Sequence, residues 1–496
     1  MNNSSYFKMR FPKNNIYIIA CAIAPVVGAM SALFSYLIGE QTTAIFSSAV
    51  LFFLISLIIM QKTVQAFNLR QLTIPGFFYI TYLIMIFFPS FFIAAGKPSP
   101  YRYAYLFSVS SVLLTVPLGI WAASILFSFN RKKITTFYSK PIEGKGPTYS
   151  TRIIYIVLFF GALILVFLYI REVKTIPLLV ALKNPGSYMK IVQLREAAFK
   201  LLDSPLIYPY AWLRTLIFPL LIILSLGYYF LVRRRIWLIF FILSLIIGVS
   251  YAALSMAKMP VASVFLIVAL FIYIYKSGRI SKKFIVLAPS LILGFPFLAF
   301  ILSYYGSGLG SFSAIRAIIR RLFQVQAQVL YHYFEVFPDQ VGYLYGKSIG
   351  RLADLMGWEY FNTANYIFRH IFPRGVETGQ SNTAFIGNLH ADFGIVGVIL
   401  GGLITGFLMQ TIQIFILRKK KTVLSLAIYA FMIYAFWLLN ITALPGILLS
   451  YGVILAFILF WLILNFENFL NKAAERVTLE KNKGETQKTR MLPKKH

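Results

Sequence analysis

The chain has 496 residues, of which 59% are hydrophobic, 17% aromatic and only 12% charged, with a formal net charge of +32. That balance excludes a soluble enzyme and places the chain among polytopic membrane proteins. So large a positive charge would ordinarily point to nucleic acid, but the placement of the basic residues gives it another meaning.

An apolar run of about 18 residues or more is long enough to cross a hydrocarbon core of about 30 Å at 1.5 Å per residue. Twelve such runs lie near 16–39, 43–60, 73–96, 104–128, 153–170, 210–231, 236–256, 259–275, 284–305, 384–417, 423–439 and 447–466. The first is not read as a cleaved leader. Ile18, Ile19, Ala20 and Cys21 look like a lipoprotein box, yet too few apolar residues precede Cys21 and the run continues past it. Basic clusters fall at Lys8/Arg10/Lys13, Lys62/Arg70, Arg131/Lys132/Lys133, Arg233/Arg234/Arg235, Lys276/Arg279/Lys282/Lys283, Arg418/Lys419/Lys420/Lys421 and the tail after Asn471, each after an even number of crossings. Cytoplasmic loops retain Lys and Arg, so both termini are expected in the cytoplasm and most of the charge is a topology signal, not a nucleic-acid footprint. The same loops suit the anionic lipids of an inner leaflet.

This layout predicts an all-α polytopic protein of about 12 transmembrane helices with two large extracytoplasmic loops. Helices 1–5 occupy 1–170, the first loop 171–209, helices 6–9 residues 210–305, the second loop 306–383, helices 10–12 residues 384–466, and a basic cytoplasmic tail 467–496. Long loops among short ones usually carry a function, so the two large loops are the places to look.

In the first loop a helix is expected over 186–202, carrying Lys190, Arg195, Glu196 and Lys200 after Lys183. Glu196 and Lys200 form an ordinary i, i+4 pair, which leaves Arg195 as the residue of interest. The second loop opens with an amphipathic segment at 312–337. At 100° per residue, Arg320, Arg321, Gln324, Gln328, His332 and Glu335 share an arc of about 120°, and Ile318, Leu322, Val325, Val329, Tyr333 and Phe337 fill the rest. Ser311 or Ser313 can cap this helix and Pro338 stops it. A full crossing here would place residues 418–421 outside, so the helix is expected at the outer interface or partly re-entrant, its polar arc turned toward a cavity.

Such an arc suits a phosphorylated glycan. Arginine forks hold pyrophosphate oxygens, Gln side chains hold sugar hydroxyls, and His or Glu takes a proton. Further along the loop lie Lys347, Arg351, Asp354, Trp358, Glu359, Tyr360, Arg369, His370, Arg374 and Glu377, with His390 and Asp392 at the start of the tenth run. There the simplest role for Asp392 is to sit near the positive end of a helix. Gly394, Gly397, Gly401, Gly402 and Gly406 are expected to allow close helix packing. The sequence shows no Asp-x-Asp pair, no His/Cys/carboxylate set at metal spacing and no glycine-rich phosphate loop, so metal-independent chemistry without a cofactor is expected. No acid lies in mid-span, and no inverted repeat is evident, which disfavours a coupled transporter.

The stretch TGQSNTAFIGNLHADFGIVGVILGGLITG at 378–406 resembles the oligosaccharide repeat-unit polymerases of Wzy type, in which a loop ends in a similar stretch and the next helix starts with a Phe and Gly pair. Upstream, RRLFQVQAQVLYHYFEVFPDQVGYLYGKSIG at 320–350 is similar to that family's arginine-bearing helix, proline stop and Tyr/Gly turn, and the likeness is best over about 250–410. The resemblance implies a GT-C-like glycosyltransferase of the bacterial cytoplasmic membrane. It would join polyprenyl-pyrophosphate-linked oligosaccharides on the outer face, in company with a flippase and a chain-length regulator. It also implies pyrophosphate-binding arginines, which map onto Arg195 and onto Arg320 or Arg321. Where relatives often carry an arginine after the seventh span this chain has Lys258, a point charge without the bidentate fork.

A departing diphosphate carries negative charge into the transition state, and fixed cations can stabilise it without a metal. Arg195, Arg320, Arg321 and Lys258 are the pyrophosphate candidates. Gln324, Gln328, Arg351, Arg369, Arg374, Glu377 and His390 are the glycan candidates. The acceptor hydroxyl needs a base, for which His332, Glu335, Glu377 and His390 are candidates and Glu335 is the choice, with His332 beside it. The alternatives are a ligase that moves the finished glycan to another acceptor, a lipid-linked oligosaccharide flippase, or a sensor without catalysis.

Overall fold

Long apolar runs with few charges leave the backbone one way to satisfy its polar groups inside lipid, which is to form helices. The computed structural model describes residues 40–466 except 69, 98, 145, 174, 184–192, 195–205, 255, 279–285, 291, 295–296, 299–315, 317–318, 322 and 374–378. Among the described residues there is no strand. Nine helices among them are long and apolar enough to cross a membrane. They are α1 (Glu40–Val64), α2 (Ile74–Gly96), α3 (Tyr101–Leu126), α5 (Tyr149–Glu172), α7 (Ile207–Val232), α8 (Arg235–Ala253), α13 (Phe385–Leu417), α14 (Val423–Asn440) and α15 (Leu444–Phe466). The helix α9 (Lys258–Tyr275) is shorter and also apolar. Smaller helices are α4 (Lys132–Ser139), α6 (Pro177–Lys183), α10 (Val325–Val336), α11 (Gly350–Met356) and α12 (Thr363–Ile371). Of the twelve expected spans, the one near 16–39 lies outside the described residues, and 284–305 is described only in fragments.

Capping follows from sequence. Thr73 accepts from the Gly76 amide at 3.1 Å, Thr148 from Thr151 at 3.3 Å, and Thr422 and Ser425 make a reciprocal capping box. The central helix is α14, whose residues are almost all buried and which packs against α2, α7 and α9. By contrast α5 leaves Val157, Phe160, Ile164 and Phe167 exposed, a face suited to lipid.

The closest pairing is α3 with α13, and small residues make it possible. A Cβ added to Gly119 would lie 2.1 Å from the Leu403 carbonyl oxygen, and one added to Gly406 would lie 2.0 Å from that of Val116. Backbone touches backbone along this seam, as the glycine spacing predicts.

The helix α13 has 33 residues and would rise about 50 Å if straight, well beyond the hydrocarbon thickness. Gly394, at φ 63° and ψ −152°, breaks it. The span proper is therefore 395–417, about 35 Å long, and 385–393 forms a separate limb. This corrects the expectation that His390 and Asp392 start the tenth span. They close the limb before it, and the Asp392 carboxylate is taken up by the amides of Gly346 and Ser348.

Among the described residues, the segments carrying the basic clusters near 131–133, 276 and 418–421 meet at one end of the bundle. Lys421 donates to the carbonyls of Lys140 at 2.7 Å and Tyr138 at 3.2 Å and approaches Ser277 at 3.5 Å, and Arg418 donates to the Phe127 carbonyl. Backbone carbonyls hold this buried ammonium, and burial lowers its pKa. The helix α10 lies across the opposite ends of α2 and α3.

Gly406→Ala should lower stability by about 1 to 3 kcal/mol or more, because the new methyl meets backbone that cannot turn aside. Gly161→Ala, with nothing within 4 Å of the added carbon, should leave it unchanged. Thermal melts of the two variants in detergent test the difference.

Candidate functional site

The expected helix over 312–337 is broken before its periodicity suggests. Gln324 departs from helical geometry at φ −127° and ψ −42°, and α10 runs from Val325 to Val336. At the far end Phe337 is extended, as a residue before proline prefers, so the helix stops ahead of Pro338 as expected. The expected caps, Ser311 and Ser313, lie outside the described residues.

Three elements fix α10 in place. The Tyr105 hydroxyl lies 2.6 Å from Ser90 Oγ and 2.9 Å from the Ala327 carbonyl oxygen, and Thr383 donates to the Gln326 carbonyl at 2.9 Å. At its C-terminal end, His390 Nε2 donates to the Phe337 carbonyl at 3.1 Å, and its ring stacks on Phe334 with centroids 3.8 Å apart. His390 is buried. It is a pin between α10 and the limb 385–393, which corrects its reading as a glycan contact or a base.

The loop after α10 docks on that limb through its backbone. Leu344 and Tyr345 donate to the carbonyls of Ala391 and Asp392, both at 3.0 Å, satisfying acceptors that a helix end leaves open. The Asp392 carboxylate takes the amides of Gly346 at 3.1 Å and Ser348 at 3.3 Å and the Ser348 hydroxyl at 2.5 Å. Tyr343 packs where Gly394 lacks a side chain.

On this platform α10 presents a charged cluster. Lys97, just past the end of α2, places Nζ 3.7 Å from Glu335 Oε1 and 3.4 Å from His332 Nε2. His332 Nδ1 lies 2.6 Å from Glu335 Oε2, approached off the line of the ring N–H. Tyr331 donates to the Lys97 carbonyl at 3.2 Å and puts its ring under the ammonium, 5.0 Å away. From α12, the His370 ring meets that of His332 edge-on at 5.7 Å. Side-chain exposures of 34% for Lys97, 21% for Glu335 and 12% for His332 leave the cluster reachable from one side.

Burial pushes the His332 imidazole below its ordinary value, and the Lys97 charge adds to this against the opposing pull of Glu335. His332 is therefore neutral near pH 7. The Lys97 ammonium at Nε2 favours the tautomer with its lone pair there and the proton on Nδ1. A neutral imidazole oriented by a carboxylate is equipped to take a proton from a hydroxyl.

The structure thus brings His332 and Glu335 together with His370, one of the polar loop residues the sequence offers, and it adds Lys97, which is not among the expected site residues. Gln328 is half-buried on the same helix, and Gln324 is exposed at its start. Arg320 and Arg321 are exposed just before the break, so the expected arc is not one continuous helical face. Arg351 is exposed, 3.9 Å from Asp354, with its guanidinium 4.8 Å from the Tyr208 ring centroid. Arg369 is exposed in the last turn of α12. Arg195, Arg374 and Glu377 lie outside the described residues, and of Lys258 only its place at the start of α9 is described. The expected lack of a metal-spaced cluster needs correction too, because folding brings one ligand atom from each of His332, Glu335 and His370 within 4.8 Å of one another.

Lys97 has a sequence signal. With Arg102 it lies in a short turn between the third and fourth spans, on the side where the charge rule expects few basic residues. His370 stands among the polar residues of the second loop, but its meeting with α10 is purely tertiary.

If His390 is a pin, His390→Phe should keep the stack on Phe334 and lose one hydrogen bond, lowering stability by about 1 kcal/mol. His390→Ala should cost more, and the order of their melting temperatures tests this. The chain matches no family model, no curated protein and no solved structure.

Proposed function

We propose that this protein is a glycosyltransferase that joins polyprenyl-pyrophosphate-linked oligosaccharide repeat units on the outer face of a bacterial cytoplasmic membrane. The observation that carries the reading is the Lys97–Glu335–His332 cluster, a cation, a carboxylate and a neutral imidazole held within contact at the end of the bundle opposite the basic loops. Under the charge rule that end faces outward. The sequence likeness at 320–350 and 378–406 supports the same reading, since those segments include α10 and the limb that braces it.

In the proposed reaction an acceptor sugar hydroxyl attacks the anomeric carbon of the donor glycan. The new bond joins that carbon to the acceptor oxygen, the bond to pyrophosphate breaks, and polyprenyl pyrophosphate leaves with the bonding electron pair. The incoming diphosphate draws the Lys97 ammonium toward itself, which uncovers His332 Nε2 to receive the hydroxyl proton. Glu335, whose carboxylate lies against Nδ1, stabilises the imidazolium that forms. Arg320 and Arg321, exposed at the approach to α10, add charge that attracts the substrate. A proton acceptor next to a cation fits transfer chemistry better than a flippase, which needs no base. A ligase using another hydroxyl acceptor would employ the same groups.

Purified protein given lipid-linked repeat units should make a ladder of chain lengths. Glu335→Gln and His332→Ala should each reduce extension by at least about 100-fold while leaving membrane insertion intact, and Lys97→Met should reduce it as well. Full ladders from Glu335→Gln and His332→Ala would reject this site. In cells, loss of the gene should leave surface lipid bearing a single repeat unit, and loss of all surface glycan would favour the flippase or the ligase.

A further inference from the structure

We infer that His332, Glu335 and His370 form a Zn2+ site for which the Lys97 ammonium is the competing internal cation. The donors are two imidazoles and a carboxylate, a set that suits zinc and leaves a fourth position open. They come from two helices, His332 and Glu335 one turn apart on α10 and His370 in the last turn of α12, so the site forms only when the two pack together.

The geometry is near to what the ion needs. One ligand atom from each residue lies within 4.8 Å of the other two. Around a tetrahedral zinc with bonds of about 2.0–2.1 Å, such atoms stand about 3.3 Å apart, a spacing between the 2.6 Å of His332 Nδ1 and Glu335 Oε2 and the 4.8 Å limit that holds all three. Lys97 Nζ already stands against two of the three ligands, 3.7 Å from Glu335 Oε1 and 3.4 Å from His332 Nε2.

A dication and an ammonium cannot share that space without strong repulsion. Lys97 is about one-third exposed and sits on a flexible stem, so it can swing outward when the metal enters. Lysine and zinc are therefore alternative cationic partners of His332 and Glu335. The metal site shares His332 and Glu335 with the proposed transfer site, but its existence does not depend on that reading. Only a further consequence rests on that reading, namely that bound zinc stops transfer by displacing Lys97 and covering His332.

The test uses full-length protein purified in detergent without a histidine tag and titrated with Zn2+ against a chromophoric chelator. Wild-type protein should bind one equivalent. His370→Ala and Glu335→Gln should each weaken binding by at least about tenfold, whereas Lys97→Met should tighten it and His390→Phe should leave it unchanged. His370 belongs to a short helix at the edge of the bundle, and Glu335→Gln preserves side-chain size, so two independent variants report on the ligands. Absence of saturable binding, or equal affinity in wild type, His370→Ala and Glu335→Gln, would overturn the site. Unchanged or weaker binding by Lys97→Met would overturn the competition. If zinc binds as described yet the glycan ladder forms at full rate with the site loaded, the transfer reading of this cluster fails while the metal site stands.

Discussion

The break at Gly394 is the constraint on which the arrangement of this end of the protein depends. An unbroken α13 would rise past the apolar layer, and the limb 385–393 could not fold back to support another element. With the break, the limb becomes a shelf. Its last carbonyls receive the loop at 344–345, Asp392 gathers the amides of Gly346 and Ser348, and His390 reaches the Phe337 carbonyl. The helix α10 rests on this shelf and on the ends of α2 and α3. Only a residue without Cβ readily adopts φ near +60° with an extended ψ, and here Tyr343 also fills the space a side chain would need.

Much of the architecture is legible in the sequence because lipid restricts the choices. Apolar runs locate most of the described spans to within a few residues, the tenth excepted, and the segments that carry the clusters near 131–133, 276 and 418–421 meet at one end through contacts among Phe127, Tyr138, Lys140, Ser277, Arg418 and Lys421. The glycine series in α13 marks a packing seam, and Gly402 and Gly406 do face Thr115 and Val116. The same series conceals Gly394, because one glycine with positive φ looks the same in sequence as its packing neighbours.

The site is legible in part, for a related reason. A helical wheel assumes unbroken periodicity, so it joins Arg320 and Arg321 to His332 and Glu335 across Gln324, where the backbone turns. It does find the His332–Glu335 pair, because three residues is about one turn and needs no tertiary information. Lys97 lies 235 residues from His332 in sequence, and no local pattern joins them. What the sequence does offer is a basic turn on the side of the membrane where such turns are uncommon.

The electrostatics of this region explain why a lysine belongs there. Glu335 is about four-fifths covered and His332 more so, and a carboxylate in such surroundings is costly unless a cation accompanies it. Lys97 supplies the charge, and the Tyr331 ring and hydroxyl hold its backbone and ammonium in place. Because Lys97 keeps an exposed side, its charge is available to an arriving anion, and the His332 imidazole becomes more basic as the ammonium departs. The same movement would expose a carboxylate and two imidazoles whose ligand atoms lie within 4.8 Å of one another, so the feature that suits the cluster to the proposed diphosphate chemistry also suits it to the proposed divalent cation.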